Sequence, residues 1–265
     1  MLIDTHCHLD AAEFDEDRDN IAIAARNEGV AAIVVPAVDR SNFDAVISLS
    51  RQHKHCVYAL GIHPMFVNQS KLEDIATLSS YVENNQPVAI GEIGLDYYVT
   101  KENSELQTHF FTEQLKIAKQ HGLPVLLHSR HAVDEVLKYL RRYQLVGGIA
   151  HAFNGSKQQA EQFIQLGFKL GFGGAMTYSR ALKIRELAAT LPLEAIVLET
   201  DSPDIPPEWV GSRGRNTPGE LAKIAQVLAD LRPENIAQVV DITGANAIKV
   251  MPKLLDLCTR PKALH

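Results

Sequence analysis

The chain has 265 residues, of which 46% are hydrophobic and 22% charged, a globular composition that excludes disordered, collagen-like and fibrous classes. One large domain with a substantial core is expected from that length. Lysines and arginines number 26 against 32 acidic residues, a formal net charge of −6, so the surface as a whole does not attract polyanions. A local phosphate site stays open, because bound divalent metals supply positive charge that a residue count omits. The three cysteines, Cys7, Cys56 and Cys258, are too few for a disulfide framework and fit a reducing, cytoplasmic setting. The longest apolar stretch, 30–38, is broken by Pro36 and is far too short to span a bilayer. Residues 1–10 lack the basic and apolar regions of a secretory signal. Neither a membrane nor an obligate protein partner is implied.

Short β-rich apolar runs recur at 2–5, 32–36, 56–60, 88–91, 125–128, 148–151, 168–171 and 195–199. Several are almost continuously hydrophobic, as in AAIVVPA, PVAIGE, LPVLLH and EAIVLET, the pattern of strands buried on both faces of a parallel sheet. Helical spacing fills the intervals. In 104–121, Leu106, Phe110, Leu115 and Ala118 share a stripe, and Gly122-Leu123-Pro124 ends the helix. The strand starts are spaced about 28 residues apart, which is one βα unit of a TIM (β/α)8 barrel. Helices at 218–230 and 234–250 complete the outer ring, so the barrel domain is read as 1–252 and 253–265 as a poorly ordered tail. A doubly wound sheet is disfavoured, because no strand leads into GxGxxG or a P-loop. The cluster Gly171-Phe172-Gly173-Gly174 reads as a tight turn in preference to a phosphate cradle.

His6 and His8 directly follow the first strand, and residues i and i+2 of a strand point to one face, so both imidazoles can reach one centre. Glu92, His128, His151 and Asp201 each close another strand run. In a parallel barrel those C-terminal ends meet around one rim, so residues distant in sequence converge there. Six nitrogen and oxygen donors exceed what one tetrahedral zinc takes, and two divalent ions sharing a carboxylate use them better. Glu92 is the natural bridge; His6, His8 and Asp201 complete one ion, and His128 and His151 the other. Asp201 is also placed to act as general base, so Glu92 and Asp201 are the expected catalytic residues of a metal-assisted hydrolysis. Four histidines suit zinc, and the carboxylates also admit magnesium or manganese.

The pieces IDTHCHLD (3–10), GIHP (61–64), GEIGLDYY (91–98), HSR (128–130), HAFNGS (151–156), ETDSP (199–203) and RNTP (215–218) together resemble the TatD family of metal-dependent hydrolases and deoxyribonucleases, within the amidohydrolase-like group of metal barrels. The resemblance covers nearly the whole chain. It implies a barrel with two divalent ions on His6, His8, Glu92, His128, His151 and Asp201, and exonuclease-type hydrolysis of phosphodiester bonds in DNA, with single strands or 3′ ends as the form of the substrate. Lys249 and Met251 depart from the arginine and phenylalanine common in the family's last helix, a matter of packing away from the rim.

Around the same rim, His63 is placed to contact a phosphate oxygen or to structure the turn before Pro64. Asp96 is expected to orient a histidine ligand, or else to cap a loop. Asp204 adjoins the base and either touches substrate or shapes a turn. Arg130, Arg213 and Arg215 are candidates for phosphate binding, with solvated surface charge as the alternative for each. Tyr97 and Tyr98 read as packing residues in preference to a base-stacking platform. Cys7 should point away from its histidine neighbours as a small buried residue. The competing enzymatic reading is hydrolysis of a small phosphate ester, ester or amide on the same centre. A non-enzymatic metal-binding barrel is disfavoured by the complete donor set.

Overall fold

The structure is a computed structural model that describes residues 1–98 and 101–258. Its first half runs β1 (Leu2–Asp4), α1 (Arg18–Asn27), β2 (Val30–Pro36), α2 (Phe43–Gln52), β3 (Cys56–Ala59), α3 (Glu73–Asn85), β4 (Ile90–Asp96) and α4 (Ser104–His121). The second half runs β5 (Val125–Arg130), α5 (Val133–Tyr143), β6 (Gly148–Ala150), α6 (Lys157–Gln165), β7 (Phe168–Phe172), α7 (Leu182–Thr190), β8 (Ile196–Leu198), α8 (Leu221–Asp230), α9 (Ile236–Val250) and α10 (Leu254–Cys258). Every strand pairing is parallel, β1 to β2 to β3 and β4 through β8. A parallel bridge from Leu60 to Ile90 joins the two sets. The amide of Thr5 donates to Leu198 O at 3.1 Å and closes β8 onto β1. The result is the expected (β/α)8 barrel.

Two apolar layers hold it. The larger lies between strands and outer helices, and α4 shows how it forms: Phe110, Phe111, Leu115 and Ala118 are buried at helical spacing. Gly122 takes the left-handed conformation (φ 61°) that ends that helix as expected. The smaller layer gathers Ile3, Ala32, Val34, Ala59, Leu126, Ile149 and Val197 from the strands with Ala247, Met251 and Leu254 from the C-terminal helices. It forms the barrel floor. Side chains alternate along a strand, so Leu126 and His128, Ile149 and His151, and Val197 and Glu199 share the inward face, apolar below and polar above.

Three boundaries differ from the sequence reading. β4 continues through Glu92 to Asp96, beyond the expected end at Gly91, with a register shift between Ile90 and Ile93. Gly94 permits the continuation, because a side chain there would collide with the His128 carbonyl of β5. β5 likewise runs past His128 to Arg130. In the segment read as a tail, α10 is helical and Leu254 is fully buried in the floor, since it plugs the barrel end beside Met251. The rest of that segment, 259–265, lies outside the described residues. Among the described residues no helix is long and apolar enough to cross a membrane.

Candidate metal centre

Backbone hydrogen bonds fix the rim before any side chain is considered. The amide of Asp201 donates to His6 O and that of His8 to Ser202 O, both at 2.8 Å, so the segments after β1 and β8 are locked together. Buried Asp4 reinforces them, accepting from the Thr200 amide at 3.0 Å and the Thr200 hydroxyl at 2.6 Å. Burial pushes its carboxyl up to about 7, against those hydrogen bonds. Between the two histidines, Cys7 turns away, fully buried with its Sγ 3.1 Å from Ser202 Oγ.

Glu92 sits at the centre, buried, and its two oxygens face different partners. Oε2 lies 3.0 Å from His6 Nε2 and 3.4 Å from His8 Nε2, and both nitrogens are 3.7 Å from Asp201 Oδ1. Oε1 lies 3.0 Å from His128 Nδ1, 2.8 Å from His151 Nε2 and 3.3 Å from His63 Nε2. Nitrogen also faces nitrogen at 3.3 Å, His6 Nε2 to His8 Nε2 and His128 Nδ1 to His151 Nε2. Lone pairs converging at that spacing repel one another unless a proton or a cation lies among them. The donor sets His6, His8 and Asp201; His6, Glu92 and His151; and His63, Glu92 and His128 are each close enough to hold a cation. The residues therefore fit divalent metal.

The titration of these groups carries the same signature. Burial raises the Glu92 carboxyl, yet the surrounding imidazoles outweigh it and hold Glu92 well below the ordinary carboxylate range. Burial, then the neighbouring His151, pushes His6 down to about 3. Burial likewise opposes charge on His8 and His151, but the Glu92 carboxylate outweighs it and lifts them to about 9 and about 10. Burial also raises Asp201.

Asp96 occupies the expected orienting position. Its Oδ2 is 2.8 Å from His128 Nε2, which places the proton there and leaves the Nδ1 lone pair facing Glu92. Burial raises the Asp96 carboxyl, and the His128 hydrogen bond overcomes it to give a net lowering. His63 structures the turn before Pro64. Its Nδ1 accepts from the Met65 amide at 3.1 Å and caps the turn 64–66, which leaves the proton on Nε2 facing Glu92. Asp204 and Arg130 line the cleft above the centre, a space of about 1320 Å³. Arg213 and Arg215 are not among its walls. Arg215 is held elsewhere, donating to both carboxylate oxygens of Asp17 at 2.9 and 2.6 Å and to Glu13 O at 2.7 Å. Arg213 is exposed in the same loop.

Two features escaped sequence reasoning. Glu199 is buried on the inward face of the β8 end; its Oε1 accepts from the Ala152 amide at 2.5 Å, and burial pushes its carboxyl up to about 8. It thereby holds the turn after His151, where Ala152 has φ 44°. A side chain at Gly171 would strike the Glu199 carboxylate, so the glycine cluster makes room for this acid. The signal was present in ETD, where Glu199 shares parity with Asp201. The second feature is the exposure of Tyr98, 54% at the cleft, which excludes core packing and leaves packing at the rim or base stacking as its role.

A parallel barrel whose C-terminal rim gathers histidines and carboxylates in cation-holding geometry defines a class, the metal-dependent hydrolases. The sequence profile described as "TatD related DNase" matches residues 3–252, and the chain belongs to that family. It is 42% identical over 237 residues to an uncharacterized metal-dependent hydrolase, YjjV, of Escherichia coli strain K12, covering 88% of this chain and 91% of that protein. The crystal structure of the E. coli K12 TatD homolog YJJV superposes with a TM-score of 0.91 at 38% identity, over 95% of this chain and 98% of that one. The human protein named deoxyribonuclease TATDN3 is 31% identical over 269 residues, 97% of this chain and 96% of its own length.

Proposed function

We propose that this protein is a deoxyribonuclease that holds two divalent cations and hydrolyses DNA phosphodiester bonds. The observation that carries the reading is the division of Glu92, with Oε2 turned to His6 and His8 and Oε1 to His128 and His151, beneath an open cleft. His6, His8 and Asp201 would hold one cation and His128 and His151 the other, with Glu92 contributing to each. The nitrogen-rich set suits zinc or manganese better than magnesium. When bound there, divalent cations would supply Lewis acidity to a phosphoryl group and to a water.

The chain's own residues do the rest. Asp201 accepts the proton of the attacking water, its position at the rim fixed by the hydrogen bond from its amide to His6 O. His63 donates its Nε2 proton to a phosphoryl oxygen, its other nitrogen being occupied by the Met65 amide. Asp96 keeps His128 in the tautomer that offers Nδ1 inward. A cleft of about 1320 Å³ exceeds the ordinary small-molecule pocket and supports a polymeric substrate. The test is a denaturing gel of end-labelled single-stranded DNA incubated with wild type and with Glu92→Ala, in magnesium or manganese. Progressive shortening from one end by wild type alone is expected. Intact DNA in both lanes overturns the nuclease reading in favour of a small phosphate, ester or amide substrate.

A further inference from the structure

Beside the centre, the ends of β4 and β5 carry an exposed surface of aromatic and basic side chains. Arg130 is exposed at the end of β5, and its guanidinium carbon lies 3.5 Å from the ring centroid of Tyr98. Its guanidinium stacks on Tyr98 and its charge acts on the Asp96 carboxylate, whereas the guanidinium of Arg215 is held by Asp17 in an ion pair. The acids that share the cleft wall beside it are engaged elsewhere: Asp134 accepts from Gln159 Nε2 at 2.8 Å, and Glu135 pairs with Lys138 at 2.8 Å. His131 completes the group, its ring edge-on to Tyr98 at 5.2 Å. Its backbone is left-handed (φ 56°), a conformation uncommon outside glycine.

The group is tied to the centre. Asp96 Oδ1 accepts from the Tyr98 amide at 2.9 Å, and Oδ2 of the same carboxylate holds His128 Nε2. The Tyr97 amide donates to Arg130 O at 2.9 Å, and Asp96 pairs in register with Arg130. One carboxylate thus sets the offset between a histidine that faces Glu92 and an exposed aromatic stacked against an arginine.

We propose that Tyr98, Arg130 and His131 form a stacking subsite for one unpaired nucleotide adjoining the scissile phosphate. The inference rests on the nuclease reading and adds to it the residues that seat the nucleotide. Tyr98 backs the guanidinium, so its outer face is free to stack on a nucleobase and its N–H edge to pair with the adjoining phosphate. Bases are accepted this way only when unstacked from a duplex, and any base serves because each has a π-face.

The test compares wild type, Arg130→Ala, Arg130→Lys and Tyr98→Ala on single-stranded oligothymidylate and on bis(p-nitrophenyl) phosphate, which has no nucleotide to seat. The ratio of kcat/KM for the oligonucleotide to that for the small diester should fall about tenfold in Arg130→Ala and Tyr98→Ala, chiefly through KM. Arg130→Lys should restore part of it by keeping the charge. An unmoved ratio overturns the subsite, because a merely structural role lowers both substrates alike. If wild type hydrolyses the small diester but not DNA, the nuclease reading fails separately. The subsite is then judged by fluorescence anisotropy of labelled oligothymidylate on Glu92→Ala protein: about tenfold weaker binding on adding Arg130→Ala supports it, and equal or absent binding overturns it.

Discussion

The floor and the rim of this barrel are built from the same inward-facing positions of the same strands, yet they obey opposite rules. In the floor, Leu126, Ile149 and Val197 are fully buried among apolar neighbours and require only shape and volume. Two residues further along, His128, His151 and Glu199 are polar groups held in the same barrel interior, some with unsatisfied atoms such as His151 Nδ1 and Glu199 Oε2. Burial of this kind costs stability, and the floor, together with the layer beneath the outer helices, supplies it. The difference teaches where each kind of substitution should be felt: in the floor as lost folding energy, in the rim as lost chemistry.

The largest expected effect is at the rim. Glu92→Ala removes the carboxylate whose two oxygens divide between the histidine sets, so turnover should drop by roughly a thousandfold or more, with loss of bound metal measured by elemental analysis. A folded variant that keeps its metal and its turnover would break the division. In the floor, Leu126→Ala should cost about 3 kcal/mol in urea unfolding and leave turnover per folded molecule intact. A large fall in turnover there would show that floor and rim are not separable.

A smaller effect is expected before β3, where His55 is buried and its Nε2 donates to Ala22 O at 3.0 Å. Burial pushes the ring down to about 4, with Arg26 and His53 adding to the effect. The unfolded ring binds its proton near 6.5, so the unfolded state takes up more protons between those values. Stability should be complete above about pH 6.5 and decline as the pH falls toward 4, by on the order of 2 kcal/mol. Chemical unfolding across that range, with a flatter profile in His55→Gln, checks it. The smallest effect belongs to Arg215→Ala, which should change KM for DNA by less than about twofold, since its guanidinium is already occupied by Asp17. A KM change as large as that of Arg130→Ala would return Arg215 to the substrate path.

Much of this was legible in the sequence because it depends on local pattern. The buried strands announce themselves as apolar runs, and 104–121 carries its own stripe and glycine stop. His6, His8, His128, His151 and Asp201 follow from strand ends alone, since a parallel barrel brings those ends together. What was not legible depends on contacts between distant segments. β4 reads as ending at Gly91 because glycines weaken strands, and only the close approach of the His128 carbonyl explains Gly94. α10 is too short to show periodicity, and Leu254 gains its burial from the floor. Arg215 looks free until Asp17, 198 residues away, is seen beside it. Tyr98 reads as a packing residue until its exposure and its stack on Arg130 are known.

The central claim is that one carboxylate joins two cation sites at the rim. Anomalous diffraction from crystals of the manganese- or zinc-loaded protein tests it most directly. Two peaks are expected about 3.5–4 Å apart on either side of Glu92, one beside His6, His8 and Asp201 and the other beside His128 and His151. A single peak, or a second ion that does not touch Glu92, would contradict the account.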